Sequence, residues 1–212
     1  MSTQPTTGES RPAHKPLRRD LVHVAGLIPD GSRVLDLGCG PGKLMQHLME
    51  HKQCTGTGVE IDPVAVVKAI RRGVPLIELD IDEQLDQFGD NSYDVVVLSR
   101  VLQATRFPAT VLREMARIGR SCLVSVPNFG YWRHRWVLMR GRMPMSKELP
   151  YAWFDTPNIH LSTLADLEDL FELVGLSIQQ RDLFAPDGRI HPGARRAPNL
   201  LAANAVYLLS PR

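Results

Sequence analysis

Hydrophobic residues recur along this chain in two alternating rhythms. Short β-branched runs at 33–37, 55–61, 75–80, 93–99 and 121–126 predict strands, and the segments between them carry apolar residues at helical spacing. Leu44, Met45, Leu48 and Met49 form one such face, Val66, Val67 and Ile70 another, and Val111, Leu112, Met115 and Ile118 a third. Strands alternating with helical stripes predict an α/β architecture, a parallel sheet with helices on both faces. Ahead of the first strand, Leu21, Val24, Ala25 and Ile28 predict a short covering helix behind an acidic cap at Asp20, ending at the Pro29-Asp30-Gly31 turn.

Local signals sharpen the boundaries. Asp62 fits an N-cap, Pro63 the first helical position and Gly73 the helix exit. From Asp80 to Tyr93 the chain has about a dozen residues, near the minimum for joining parallel strands, so a helix there is short or absent. Thr163 and Asp166 have capping-box spacing ahead of a face of Leu164, Leu167, Leu170, Phe171 and Val174, and 177–184 and 200–209 read as closing strands. The rhythm breaks at 127–160, a segment with four prolines and a dense aromatic cluster, which reads as an insertion. Residues 1–16, with three prolines and little apolar content, read as a disordered arm, and 17–212 as a single domain.

Composition narrows the class. Of 212 residues 43% are hydrophobic, and 25 Lys+Arg against 23 Asp+Glu give a formal charge of +2, which makes global charge a poor argument for nucleic-acid binding. No apolar run approaches a bilayer span and the N-terminus lacks a signal core, so a cytoplasmic protein with no membrane partner is expected. Cys39, Cys54 and Cys122 are odd in number and without CxxC spacing, so they read as reduced thiols with no metal site.

The candidate chemistry starts at VLDLGCGPG, residues 34–42, which leaves a strand, turns through three alternate glycines and enters a helix at Lys43. Glycines there let backbone approach a flat ligand, while the spacing of Gly42 after Gly40 departs from a dinucleotide fingerprint. Glu60, at the tip of the second strand, can accept hydrogen bonds from a ribose diol. Asp80, at the end of the third, points at the same carboxyl edge, where open α/β sheets hold their ligands.

VLDLGCGPG, VEID at 59–62, LIELD at 76–80 and SYDVVVLSRVLQ at 92–103 together resemble a class I S-adenosylmethionine-dependent methyltransferase. That resemblance implies a Rossmann-like α/β sheet of seven strands, mostly parallel with the last one antiparallel. It implies Asp36, Gly38, Gly40 and Gly42 around the methionine part of S-adenosylmethionine or S-adenosylhomocysteine, Glu60 on the ribose, Asp80 and Ile81 at the adenine, and Ser99 beside the ligand. From Arg18 to Gly175, including the insertion, the chain is similar to the MetW family of methionine biosynthesis proteins. Membership implies an accessory or regulatory partnership with homoserine O-acyltransferase; the alternative is a methyltransferase acting on a small molecule.

No catalytic base stands out. Many small-molecule methyltransferases of this class carry a histidine after the fourth strand, where this chain has Gln103, an amide that takes no proton at neutral pH. His160 is the remaining candidate, with a structural hydrogen-bonding role as its rival. Pro127-Asn128-Phe129 only partly matches an amino-methylating loop and sits after the wrong strand. The insertion holds seven of the chain's 13 aromatics, Phe129, Tyr131, Trp132, Trp136, Tyr151, Trp153 and Phe154. Arg133, Arg135, Arg140, Arg142 and Lys147 lie among them, ahead of acids from Glu148 to Glu172. Such a segment suits a lid, a pocket wall or a docking surface for a protein partner, and less well a nucleic-acid stacking platform.

Overall fold

The structure is a computed structural model describing residues 17–147 and 149–212; the arm expected at 1–16 and Glu148 lie outside the described residues. In chain order the elements are α1 (Arg19–Leu27), β1 (Arg33–Leu37), α2 (Lys43–Lys52), β2 (Thr55–Glu60), α3 (Pro63–Ile70), β3 (Leu76–Glu78), β4 (Tyr93–Ser99), α4 (Pro108–Ile118), β5 (Gly119–Pro127), α5 (Trp132–Met139), α6 (Leu164–Leu173), β6 (Leu176–Phe184), α7 (Pro198–Leu201) and β7 (Asn204–Pro211). They form one seven-stranded sheet in the order β3-β2-β1-β4-β5-β7-β6. Strands β1 to β5 pair in parallel and β7 runs antiparallel to both of its neighbours, as the resemblance implied.

The two-residue period of the strands divides the core into two layers. Leu35 and Leu37 of β1, Val96 and Leu98 of β4, and Cys122 and Val124 of β5 face α4 and α6, whose Leu112, Met115, Leu167 and Phe171 are fully buried or nearly so. Val34, Val95, Val97 and Leu123 point the other way, onto Val24 and Ile28 of α1, Met45 and Leu48 of α2, and Ala69 of α3. By the same alternation Asp36, Ser99 and Ser125 lie on the α1 side at the carboxyl ends of their strands, and the register pairs Ser99 with Ser125. The stripe of α4, its end at Gly119, the Asp62 cap and the Thr163–Asp166 capping box all form as expected.

Several expectations are corrected. On α3 the buried face is Ala65, Val66 and Ala69, while Val67 and Ile70 are exposed. The cause is the glycine loop: a Cβ on Gly42 would stand 3.0 Å from the Ala69 Cβ, so only a small residue lets α3 come this close. Asp20 is not a cap; Arg18 holds the N-cap position and Asp20 is buried in the first turn. β3 stops at Glu78, short of Asp80. The last strand begins at Asn204 because Pro198 starts a short helix, whose Asn199 accepts hydrogen bonds from Leu164 N (2.7 Å) and Ala165 N (3.3 Å) at the start of α6.

Asn128 roots the insertion. Fully buried, it donates its side-chain amide to the carbonyls of Asn199 (3.0 Å) and Ala202 (2.7 Å) and accepts from Gly130 N. Its role is structural. Replacing Asn199 by Ala removes the one side-chain oxygen that accepts from two N–H groups of the first turn of α6 and is expected to cost about 1–2 kcal/mol in urea denaturation. A loss within a few tenths of the wild type would mean that water replaces those bonds.

Candidate functional site

The glycine loop joins β1 to α2 with Gly38, Gly40 and Gly42 all in the left-handed region, at φ of 66°, 54° and 72°. Alternate left-handed residues turn successive backbone N–H groups toward the neighbouring strand. Cys39 N donates to Val59 O at 2.9 Å, and Gly40 N to Glu60 Oε2 at 2.7 Å. The other oxygen of Glu60 accepts from Ile61 N and Asp62 N, each at 2.9 Å. Three of the roughly four lone-pair positions of the carboxylate are thus occupied, and one remains for a ligand hydroxyl in this arrangement.

Asp36, the last residue but one of β1, is 3% exposed. Burial above all, and then the nearby Glu60 carboxylate, raises its pKa from the ordinary 3.8 to about 7, opposed by the Arg18 guanidinium. Cys39 is pushed up as well, by burial and then by Asp36 and Glu60, so it is a neutral thiol at physiological pH.

On the α1 side an ion-pair cluster covers the edge. Arg18 reaches Ser99 Oγ at 3.5 Å, and Ser99 and Ser125 share a hydroxyl contact of 3.0 Å. Asp20 sits between Arg18 (3.2 Å) and Arg100 (3.0 Å). Sequence reasoning missed Arg18 and Arg100 and read Asp20 only as a helix cap. The signal was present: Asp20, Val24 and Ile28 are four residues apart, which puts the acid on the buried face of α1.

Asp80 and Ile81 lie just beyond β3. The Asp80 carboxylate accepts from Asp82 N (2.9 Å) and from the Arg106 guanidinium (2.9 Å), which also binds Glu83. Ile81 is half-buried against the core layer of α4 and α6. Arg106 is therefore a further missed residue at this edge. Gln103 donates its side-chain amide to Arg100 O, and its backbone carbonyl accepts from Ile159 N and His160 N, which ties the insertion to the turn after β4. The His160 side chain is exposed and lines a separate, mostly apolar cavity of about 370 Å³ with Phe129, Leu149 and Leu170. Asp36, Gly38–Gly42, Glu60 and Ser99 thus converge on one edge, with Asp80 beside them, and His160 does not join them.

Known proteins add a family and a fold. A family model described as "Methionine biosynthesis protein MetW" matches residues 18–209. The chain belongs to the MetW family. A "Bifunctional methionine biosynthesis protein MetXA/MetW" from Rhodopirellula baltica is 33% identical over 92% of this chain, which spans about one third of that relative's length. A ubiquinone biosynthesis O-methyltransferase from Erwinia tasmaniensis is 32% identical over 52% of this chain and 48% of its own. Among solved structures, an S-adenosylmethionine-dependent methyltransferase from Mesorhizobium loti superposes with a TM-score of 0.66, at 17% identity, over 91% of this chain and 97% of its own. The [4+2]-cyclase SpnF superposes at 0.62, with 17% identity, over 91% and 80%. The MetW family and the class I methyltransferase fold are established by these likenesses, and among the described residues no helix is long and apolar enough to cross a membrane.

The raised pKa of Asp36 has a consequence for stability. Because the folded chain keeps a proton that the unfolded chain releases, this contribution is full below about pH 4 and is lost as pH rises through 7. Asp36→Asn should gain stability relative to the wild type between pH 5 and pH 8, by up to about 1.4 kcal/mol per pH unit over the titrating range. Thermal unfolding at the two pH values checks it; a constant difference would mean that Asp36 ionises freely in the fold.

Proposed function

We propose that this protein binds S-adenosylmethionine or S-adenosylhomocysteine at the carboxyl edge of β1 and β2, and acts as an accessory or regulatory partner of homoserine O-acyltransferase. The observation that carries the first half is the Glu60 carboxylate held against the glycine loop by Gly40 N at 2.7 Å, with a lone pair to spare. In this reading Glu60 takes a ribose hydroxyl, Asp80 and Ile81 meet the adenine, and Asp36, Gly38, Gly40, Gly42 and Ser99 surround the methionine part. The sulfonium of S-adenosylmethionine, absent from S-adenosylhomocysteine, would favour the ionised form of Asp36 and offset part of its burial cost.

The second half rests on the insertion and on the bifunctional relative. Among the residues of α5 only His134 is buried; Trp132, Trp136 and Met139 are exposed, the last at 79%. Arg140 stacks 3.9 Å over the Trp136 ring and Arg133 lies 5.3 Å from that of Trp132. Exposed Trp and Arg on one short helix have the composition of interface anchors. A relative whose name joins MetXA to MetW supports a partner that works beside this domain, since a shared chain raises the effective concentration of one for the other.

Methylation of a small molecule is the second reading, favoured by the ubiquinone biosynthesis O-methyltransferases among the relatives. Gln103 after β4 and the place of His160 in a cavity that the glycine loop does not line leave that reading without a base among the residues considered.

Two measurements test the proposal. S-adenosylhomocysteine titrated calorimetrically should bind, and Glu60→Ala should weaken it by about 1.5–3 kcal/mol, the range for hydrogen bonds to a charged group; unchanged affinity would move the ribose elsewhere. Adding this protein to purified homoserine O-acyltransferase should raise its activity saturably and co-elute with it, and Trp136→Ala should weaken both effects. No activation and no co-elution would return the protein to the methyltransferase reading.

A further inference from the structure

Helix α3 is apolar on nearly every side. Of its eight residues only Lys68 is polar, and a helix of that composition is normally buried all round. Here one face alone is covered. Ala65, Val66 and Ala69 pack inward, with Ala69 against the glycine loop, while Val64, Val67 and Ile70 are 58%, 47% and 59% exposed. These three stand at i, i+3 and i+6, which on a helix makes one continuous aliphatic ridge. The helix lies over β2 and β3, and β3 is the outermost strand on that side of the sheet. The ridge belongs neither to the glycine-loop edge nor to the insertion.

The charges at the two ends of α3 are opposite and available. At the N-terminal end Asp62 caps the helix through one carboxylate oxygen, to which Val64 N donates at 3.0 Å, and its second oxygen has no partner among the described residues. At the C-terminal end Arg72 is committed to the carbonyls of Pro41 (2.8 Å) and Lys68 (3.1 Å). Lys68 and Arg71, however, are exposed and have no carboxylate partner among the described residues.

Turned end for end, the helix is complementary to itself. About a two-fold axis through Val67, Val64 of one copy faces Ile70 of the other, Val67 meets its own counterpart, and Asp62 comes beside Arg71. A parallel pairing would set Asp62 on Asp62 and Arg71 on Arg71, and would align the two helix dipoles. An isologous contact needs the same self-complementary patch on both copies, and α3 supplies it. By contrast α5 carries arginines and no acid, so it does not complement itself.

We propose that the outward face of α3 is a two-fold contact with a second copy of this chain, α3 packing antiparallel on α3. One short helix from each copy makes a small interface, so the dimer is reversible and depends on concentration. Because α3 is seated on Gly42 through Ala69, the contact also holds this helix against the glycine loop from outside.

The test follows the mass of the full chain by sedimentation equilibrium over about a hundredfold range of concentration. The mass should rise reversibly from one chain toward two. Val67→Lys sets two ammoniums against each other on the axis and should raise the dissociation constant by about tenfold or more, with an unchanged circular dichroism spectrum because Val67 is exposed. Arg71→Asp should raise it several-fold, as the loss of exposed ion pairs does. Mild oxidation with diamide should link Val67→Cys into a covalent dimer, and should leave the wild type and Trp136→Cys unlinked. A dimer indifferent to Val67→Lys, or cross-linking of Trp136→Cys in place of Val67→Cys, would overturn the inference. A wild type monomeric at every concentration would do so too, and loss of acyltransferase co-elution in Val67→Lys would then give the face to that partner.

Discussion

Glu60 takes three backbone N–H groups onto one carboxylate, and the geometry of the whole carboxyl edge follows from that. A loop of alternate left-handed glycines has little side-chain packing to define its path; what defines it is the pair of bonds from Cys39 and Gly40 to the end of β2. Charge-assisted bonds to backbone amides are among the stronger ones in a protein. The same carboxylate fixes the exit of β2, so that Asp62 caps α3 and α3 presents Ala69 to Gly42. Loop, strand end and helix are therefore one unit.

Around this unit the charges are arranged so that no carboxylate at the edge is simply solvated. Asp36 is buried with its pKa raised by that burial, Asp20 is shared by two arginines, and Asp80 is met by Arg106. The two arginines at Asp20 come from elements far apart in sequence, one at the cap of α1 and one after β4, which closes α1 over the sheet where Ser99 and Ser125 end. A ligand entering either side of that closure must exchange contacts with it.

The fold was legible in the sequence because its signals are local or periodic. The stripe of α4, the capping box of α6, the Asp62–Pro63 start of α3 and the glycine loop are each determined within a few residues. The candidate site was half legible. Asp36, Glu60 and the three glycines lie on contiguous motifs, and the structure brings them together. Arg18, Arg100 and Arg106 did not stand out, because an arginine's partner is set by tertiary proximity and no spacing announces it. The exposed Val67 and Ile70 on α3 misled for the same reason: periodicity finds an apolar face, but the close approach of Gly42 selects the alanine face instead.

A methyltransferase fold does not by itself settle a reaction, since function resides in the site that a fold carries. In this chain the glycine-loop edge is intact while the position after β4 is used structurally: the Gln103 side-chain amide secures Arg100, and its backbone carbonyl secures the insertion. An amide side chain takes no proton at neutral pH, and replacing it would release its bond to Arg100 while the backbone carbonyl still holds the 159–160 segment. The turn after β4 is thus shaped to hold a charged wall and an aromatic insertion in register. That arrangement gives the insertion a defined orientation, which the proposed role of presenting a surface to a partner requires.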